Sequence, residues 1–300
     1  DATVLDAAVR AAGLETESGL LRLVPVDDGE PLALVDRERS IDLGERDFSD
    51  EPDPRAAALA WIDEHRSRVV DLYADPLLET HLLHLSPTHS IWYCWGHHIA
   101  FDGYAAMYMM LRVAQHYTAL AAGTAAPDIA TATLEQIADF DDDYRASSTF
   151  SDDREFWHEH LLGGTEPDAA SLSPRSAAAA PVATVRTADL DDALVDAIRI
   201  VADAHHVRPA SVITAAVAAY LARFNDRDDA MLSLPVAVRD REILRTSAGL
   251  TSNVLPILTH LGTPAAPRTV GELLTAIRGE VVVQFWLRPG EAAVTLGTGE

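Results

Sequence analysis

Between Leu77 and Leu120 the chain passes through two apolar strands, a polar turn, a pair of histidines and a long amphipathic helix. That order restricts the fold more than any other feature. Leu77 to Leu85 and Ser90 to Trp95 carry strand-like apolar residues, with Ser86-Pro87-Thr88-His89 as the turn between them. From Tyr104 to Leu120 the apolar positions recur at helical spacing, and Gly123 is the expected stop. The segment His97-His98-Ile99-Ala100-Phe101-Asp102-Gly103 joins strand to helix, so rigid elements hold it on both sides while its side chains can face a cleft.

The same mixture continues on either side. Residues 2 to 12 are alanine-rich with helical spacing. Leu20 to Val24 and Leu32 to Val35 read as strands about a turn at Val26-Asp27-Asp28-Gly29-Glu30, and a helix carrying Ala57, Leu59, Trp61 and Ile62 begins after Pro54. Thr133 to Ala146 and Asp152 to Leu162 read as polar-faced helices, capped by Thr133 and by Ser151 or Asp152. Residues 163 to 181 are poor in large apolar side chains and rich in Ala, Ser, Pro and Gly, as an exposed linker is. Beyond them, Val182 to Thr187, Met231 to Val238 and Asn253 to Leu261 read as strands, and Asp189 to Ala204, Pro209 to Phe224 and Val270 to Gln284 as helices. Strands interspersed with helices in both halves predict a mixed α/β (α+β) fold, with lobes over residues 1–165 and 182–300 and a linker over 166–181.

A net charge of −24 sets up a field that repels phosphate backbones and anionic membrane surfaces, so neither nucleic acid nor membrane is an expected partner. No uninterrupted apolar run of about 18 residues occurs. The opening DATVLDAAVR lacks the basic start and apolar run of a secretory signal, and the expectation is a soluble, cytoplasmic protein. The single Cys94 rules out an intramolecular disulfide and a Cys-rich zinc cluster. Within Ile91-Trp92-Tyr93-Cys94-Trp95 it reads as an inert core thiol.

His97-His98-x-x-x-Asp102-Gly103 is the constellation whose residue types and spacing suggest catalysis. Histidine accepts a proton near neutral pH, so a positioned imidazole can activate an amine, alcohol or thiol. Two readings are open on the residues alone, a catalytic pair or a hydrogen-bonded structural cluster. Asp102 likewise has two: it orients the imidazole, or it pairs with a distant cation and shapes the loop. Gly103 at the helix entry permits close approach of a substrate and avoids a Cβ clash. The other histidines read as structural. His205-His206 continues without an acid or glycine in register, Trp157-His158-Glu159-His160 lacks the zinc-site HExxH spacing and reads as a solvated helix face, and His81 and His84 alternate with leucines as surface or hydrogen-bonded residues. No Gly-rich phosphate loop, nucleophile elbow or metal-ligand cluster is visible.

The run Ser90 to Gly103, SIWYCWGHHIAFDG, resembles the active-site motif of nonribosomal peptide synthetase condensation domains, which belong to the chloramphenicol acetyltransferase-like superfamily. Phe140 to Leu161 resembles the helical segment that follows it. Leu234-Pro235-Val236-Ala237-Val238-Arg239 resembles the family's strand ending in arginine, and Gly249 to Pro256 its G-x-x-x-N-x-L-P segment. The wording of the motif, with Ala170 to Pro174, looks most like the domains of enterobactin-type siderophore synthetases.

The resemblance implies two chloramphenicol acetyltransferase-like lobes in a V, the N-terminal one nearly complete and the C-terminal one truncated. Amide formation would join a donor thioester to an acceptor amine, each delivered by a carrier protein. It makes His98 catalytic and His97 its support, pairs Asp102 with Arg239, sets Gly103 beside the pantetheine channel and lets Asn253 line or brace the site. No metal or directly bound cofactor is implied, since phosphopantetheine arrives on donor and acceptor carriers, and adenylation and carrier domains are expected to adjoin. The departures are a missing opening motif, a shorter second lobe, and Val282-Val283-Gln284-Phe285-Trp286 where the family has a His-Gln signature. A free-standing acyltransferase to an alcohol or soluble amine, an epimerising relative and a non-catalytic carrier-binding module are the competing readings. The intact motif argues against the last.

Overall fold

Two helices supply half of the first core. α1 (Ala2–Thr16) buries Ala8, Val9, Ala12, Gly13 and Thr16, a stripe at helical spacing, and Asp1 caps it by accepting from the Val4 amide. The computed structural model describes residues 1–286 apart from 28, 30, 163–186, 240 and 264. β1 (Leu21–Val24) and β2 (Leu32–Val35) pair antiparallel as the sequence suggests. β3 (Leu43–Asp47), α2 (Pro54–Arg66), β4 (Leu78–Ser86) and β5 (His89–Gly96) follow, in a sheet of order β3-β4-β5. β3 runs parallel to β4, and β5 antiparallel to it. Strand β3 escapes a reading by hydrophobic pattern, because LGERD is mostly polar and Glu45, Arg46 and Asp47 are exposed.

α3 (Gly103–Ala122) packs against α1, and Gly123 ends it in the left-handed conformation at φ 65°, a position that favours glycine. Leu20, Leu77, Phe101, Met109 and Val113 join the helices in one buried cluster. At Gly13 a Cβ would lie 2.3 Å from Ile41 Cδ1, so any larger residue there requires the Ile41 side chain to move. α4 (Leu134–Arg145) starts with reciprocal bonds between Thr133 and Gln136, each side chain accepting from the other's amide.

The structure corrects the cap read for the next helix. α5 (Ser148–Leu162) starts a turn earlier than Asp152, and the hydroxyl of Ser147 accepts from the Phe150 amide. Asp153 faces inward instead, taking a hydrogen bond from the buried Tyr144 hydroxyl. The expected linker over 166–181, the strand Val182 to Thr187 and the tail after Trp286 lie outside the described residues.

The remaining elements are α6 (Asp192–Ala204), α7 (Pro209–Phe224), β6 (Asp229–Ala237), α8 (Glu242–Arg245), β7 (Ser252–His260), β8 (Gly262–Thr263), β9 (Ala266–Pro267) and α9 (Val270–Trp286). Proline opens α7 at a first-turn position where its missing N–H costs nothing. His205 caps α6 and His206 follows at φ 52°, while His158 and Glu159 are exposed on α5.

The chain forms two compact units, Asp1–Asp143 with Ala237–Ser252, and Tyr144–Val236 with Asn253–Glu300. The strap Ala237–Ser252 thus belongs to the first unit. Its Ala248 sits in the first unit's core, and Ser18 donates its hydroxyl proton to the Ala248 carbonyl.

Arg112 of α3 is buried and donates to Glu15 (2.8 Å) and to the Pro127 carbonyl (3.0 Å). Burial pushes the Glu15 carboxyl up, but bonds from Arg112, His116 and Thr131 outweigh it and hold it below the usual value. Replacing Glu15 by alanine strands the guanidinium. The expected loss is about 3–5 kcal/mol in urea unfolding. The wild-type contribution is present above the ordinary glutamate range and is lost as pH falls through the lowered folded value, whereas Glu15→Ala should show less of that slope.

Candidate active site

Asp102 does two structural jobs at once. As the residue before α3, its carboxylate accepts from the Ala105 amide at 2.7 Å, capping the helix. It also accepts from the Thr251 and Ser252 amides and from Arg239 Nη2, with both carboxylate oxygens 3.0 Å from that nitrogen. Asp102 is 3% exposed and Arg239 7%, so the pair is shielded from water and each charge depends on the other. Arg239 donates further to the carbonyls of Leu244, Ser247 and Gly249 and to the Ser247 hydroxyl, and its guanidinium lies 4.3 Å from the Tyr104 ring centre. The Tyr104 hydroxyl in turn donates to the Arg245 carbonyl. Burial pushes the Asp102 carboxyl up, but the Ala105 and Thr251 amides and the Arg239 charge outweigh it and hold it below the ordinary range.

Among the described residues the carboxylate of Asp102 makes no hydrogen bond to either motif histidine. The loop orients them by other means. The His97 amide donates to the Leu77 carbonyl, continuing the sheet, and the His97 carbonyl accepts from Ala100 in a tight turn. His97 Nδ1 accepts from the Ile99 amide at 3.2 Å, and its ring meets Trp95 edge-on at 6.3 Å between centres. His98 is exposed and lies on the wall of a cavity of about 300 Å³. The rest of that wall includes Leu78, Cys94, Phe101, Ala106, Met109 and Met110, so the imidazole stands beside an apolar space. Burial pushes the Cys94 thiol up to about 12, which removes it as a thiolate nucleophile near neutral pH.

Gly103 lines the same cavity, and a Cβ there would meet nothing within 4 Å. The clash expected from sequence therefore does not come from the protein's own packing. Asn253 opens the second unit's stretch of β7, with its side-chain oxygen accepting from the Val254 amide. Sequence reading missed the Thr251 and Ser252 amides, which no side-chain pattern can reveal. It also missed the cavity wall on α3, although Ala106, Met109 and Met110 recur there at helical spacing.

An exposed imidazole over an apolar cavity, on a loop pinned by a buried aspartate and arginine, is set in a mixed helix-and-sheet fold of the chloramphenicol acetyltransferase-like kind. The chain belongs to the condensation domain family, whose model matches residues 6–283. It is 32% identical over 281 residues to an isonitrile lipopeptide synthase of Streptomyces coeruleorubidus, covering 94% of this chain and 19% of that protein. It is 30% identical over 278 residues to a dimodular nonribosomal peptide synthase of Bacillus subtilis (strain 168), covering 93% of this chain and 11% of that one. The starter condensation domain of rhizomide synthetase, solved in complex with C8-CoA, superposes with a TM-score of 0.85 at 29% identity, covering 100% of this chain and 67% of that one. The first condensation domain of the calcium-dependent antibiotic synthetase gives 0.80 at 26% identity, covering 100% and 69%.

If Asp102 acts through Arg239, Asp102→Ala and Arg239→Ala each lower the melting temperature, and the double variant loses less than the two single losses added. Strictly additive losses would show that the pair does not interact. Gly103→Ala is expected to leave the melting temperature within about 2 °C, a surface-sized effect, because its methyl group enters open space.

Proposed function

We propose that this chain catalyses amide formation within a nonribosomal peptide synthetase, between a carrier-bound acyl or aminoacyl thioester and the amine of a carrier-bound acceptor. The observation that carries the reading is His98 at the wall of the apolar cavity, with the Asp102 carboxylate engaged by Arg239 and not by the imidazole. The acceptor amine attacks the thioester carbonyl, the C–N bond forms, and the C–S bond breaks as the tetrahedral intermediate collapses. His98 orients that amine and takes the proton it sheds, which is then available to the departing pantetheine thiolate. His97, whose Nδ1 is engaged by its own loop, supports the turn. No metal takes part in this scheme.

The pantetheine arm belongs to the carriers. A glycine with open space at the cavity wall suits a thin, unbranched chain. Adjoining adenylation and carrier domains and a cytoplasmic setting are part of the same reading.

For the donor we propose an apolar acyl group. Leu78, Phe101, Met109 and Met110 suit it, and a lipopeptide synthase and a starter domain solved with C8-CoA are among the similar proteins. The siderophore setting suggested by the motif's wording makes an aryl donor the second reading, favoured by the ring of Phe101 at the cavity.

His98→Ala is expected to slow single-turnover amide formation by roughly 10²–10⁴-fold, read by intact-protein mass spectrometry of the carriers, and His97→Ala by less. Wild-type rates in the His98 variant would remove it from the mechanism. Octanoyl and dihydroxybenzoyl carrier thioesters, offered in competition, separate the donors: preference for octanoyl supports the apolar acyl reading, and preference for the aryl group overturns it. Chelator treatment should leave the rate intact, and a loss restored by one metal would contradict the scheme.

A further inference from the structure

Strand alternation divides β4 and β5 between two faces. Leu78, Thr80, Cys94 and Gly96 share one, and Glu79, His81, Tyr93 and Trp95 share the other, where α2 brings Trp61 and His65 against them. There three donor atoms converge. His65 Nε2 lies 3.0 Å from Glu79 Oε2, His81 Nε2 lies 3.4 Å from the same oxygen, and all three are within 4.8 Å of one another. A tetrahedral zinc site with bonds of 2.0–2.2 Å has edges of about 3.3–3.6 Å; the His81 spacing falls in that range, and the His65 spacing needs to widen by only a few tenths of an ångström.

The surroundings are those of ligands with their outer partners in place. His65 Nδ1 is 3.2 Å from the Tyr93 hydroxyl, which directs Nε2 toward Glu79. Glu79 Oε1 accepts from Arg68 Nη2 at 2.5 Å, leaving Oε2 to face the imidazoles. Arg68 Nη1 is 3.0 and 3.1 Å from the two ring nitrogens of His65, and that near-equidistance places it over the ring face, off both lone pairs. The guanidinium also stacks on Trp95 at 4.2 Å. Across the sheet Gly44 pairs with His81, and a Cβ there would lie 2.4 Å from His81 Nδ1, so the ring's position depends on that glycine.

We propose that His65, Glu79 and His81 form a binding site for a divalent ion of the zinc class, with two imidazoles, one carboxylate and a fourth position left to water. The ion would tie α2 to the sheet, on the face away from Thr80 and Cys94, and would take no part in acyl transfer. The neighbouring positive charge of Arg68 makes it a weaker site than an all-anionic one.

The test is titration of the full chain with zinc alone and with cobalt(II), whose visible spectrum reports coordination. One equivalent of cobalt should give the intense bands of a four-coordinate ion, displaced by zinc. His81→Gln should weaken binding at least tenfold, while His84→Gln, which removes a histidine paired with Glu45 outside the cluster, should not. A weak six-coordinate spectrum, or equal affinity in the wild type and His81→Gln, would overturn the site and leave the cluster a hydrogen-bonded network. Should His81→Gln fail to fold, X-ray absorption at the zinc edge of the wild type decides: two imidazoles in the coordination shell support the site, and none or one overturns it.

Discussion

The carboxylate of Asp102 is the point on which the first unit's site depends. It is buried, so its charge must be compensated, and three kinds of partner do so: the start of α3, the amides of Thr251 and Ser252, and the guanidinium of Arg239. One side chain therefore couples the motif loop to a strap that lies some 140 residues further along the chain. A hydrophobic contact of similar size would tolerate sliding. A desolvated pair with this many directed bonds does not, because every displacement leaves a buried polar group unsatisfied.

That arrangement separates architecture from chemistry. The acid of the motif is occupied by the scaffold, and the first histidine is held by its own loop through Ile99. Of the two motif histidines, His98 is the exposed one and lies beside the cavity. Among the described residues no carboxylate is hydrogen-bonded to that imidazole, which fits the proposed role of placing an amine and accepting a proton. The apolar wall meanwhile presents no thiolate nucleophile, because burial keeps Cys94 protonated near neutral pH.

The sheet that supports this site carries polar chemistry on its other face as well. Glu79 gathers Arg68, His65 and His81, and aromatic rings pack around them. Trp95 belongs to both neighbourhoods: Arg68 stacks on it from one side and His97 meets its edge. The motif loop thus emerges from a strand whose last residues are fixed by cation–π and aromatic contacts as well as by backbone pairing.

The sequence by itself determined the elements with strong periodicity, among them α1, α3, α7 and the β4–β5 hairpin, and it drew attention to the loop His97 to Gly103, because motif spacing and hydrophobic pattern are local properties. Its failures were local too. Strand β3 is polar because its exposed residues need no apolar pattern, and the cap of α5 falls on Ser147, not on Ser151 or Asp152, because the helix already begins at Ser148. Only the tertiary structure decided where the strap Ala237–Ser252 lies, which backbone amides close around Asp102, and that His65, Glu79 and His81 meet. These depend on chain segments far apart in sequence being brought within hydrogen-bond distance by the burial of their neighbours, a constraint that no window along the chain contains.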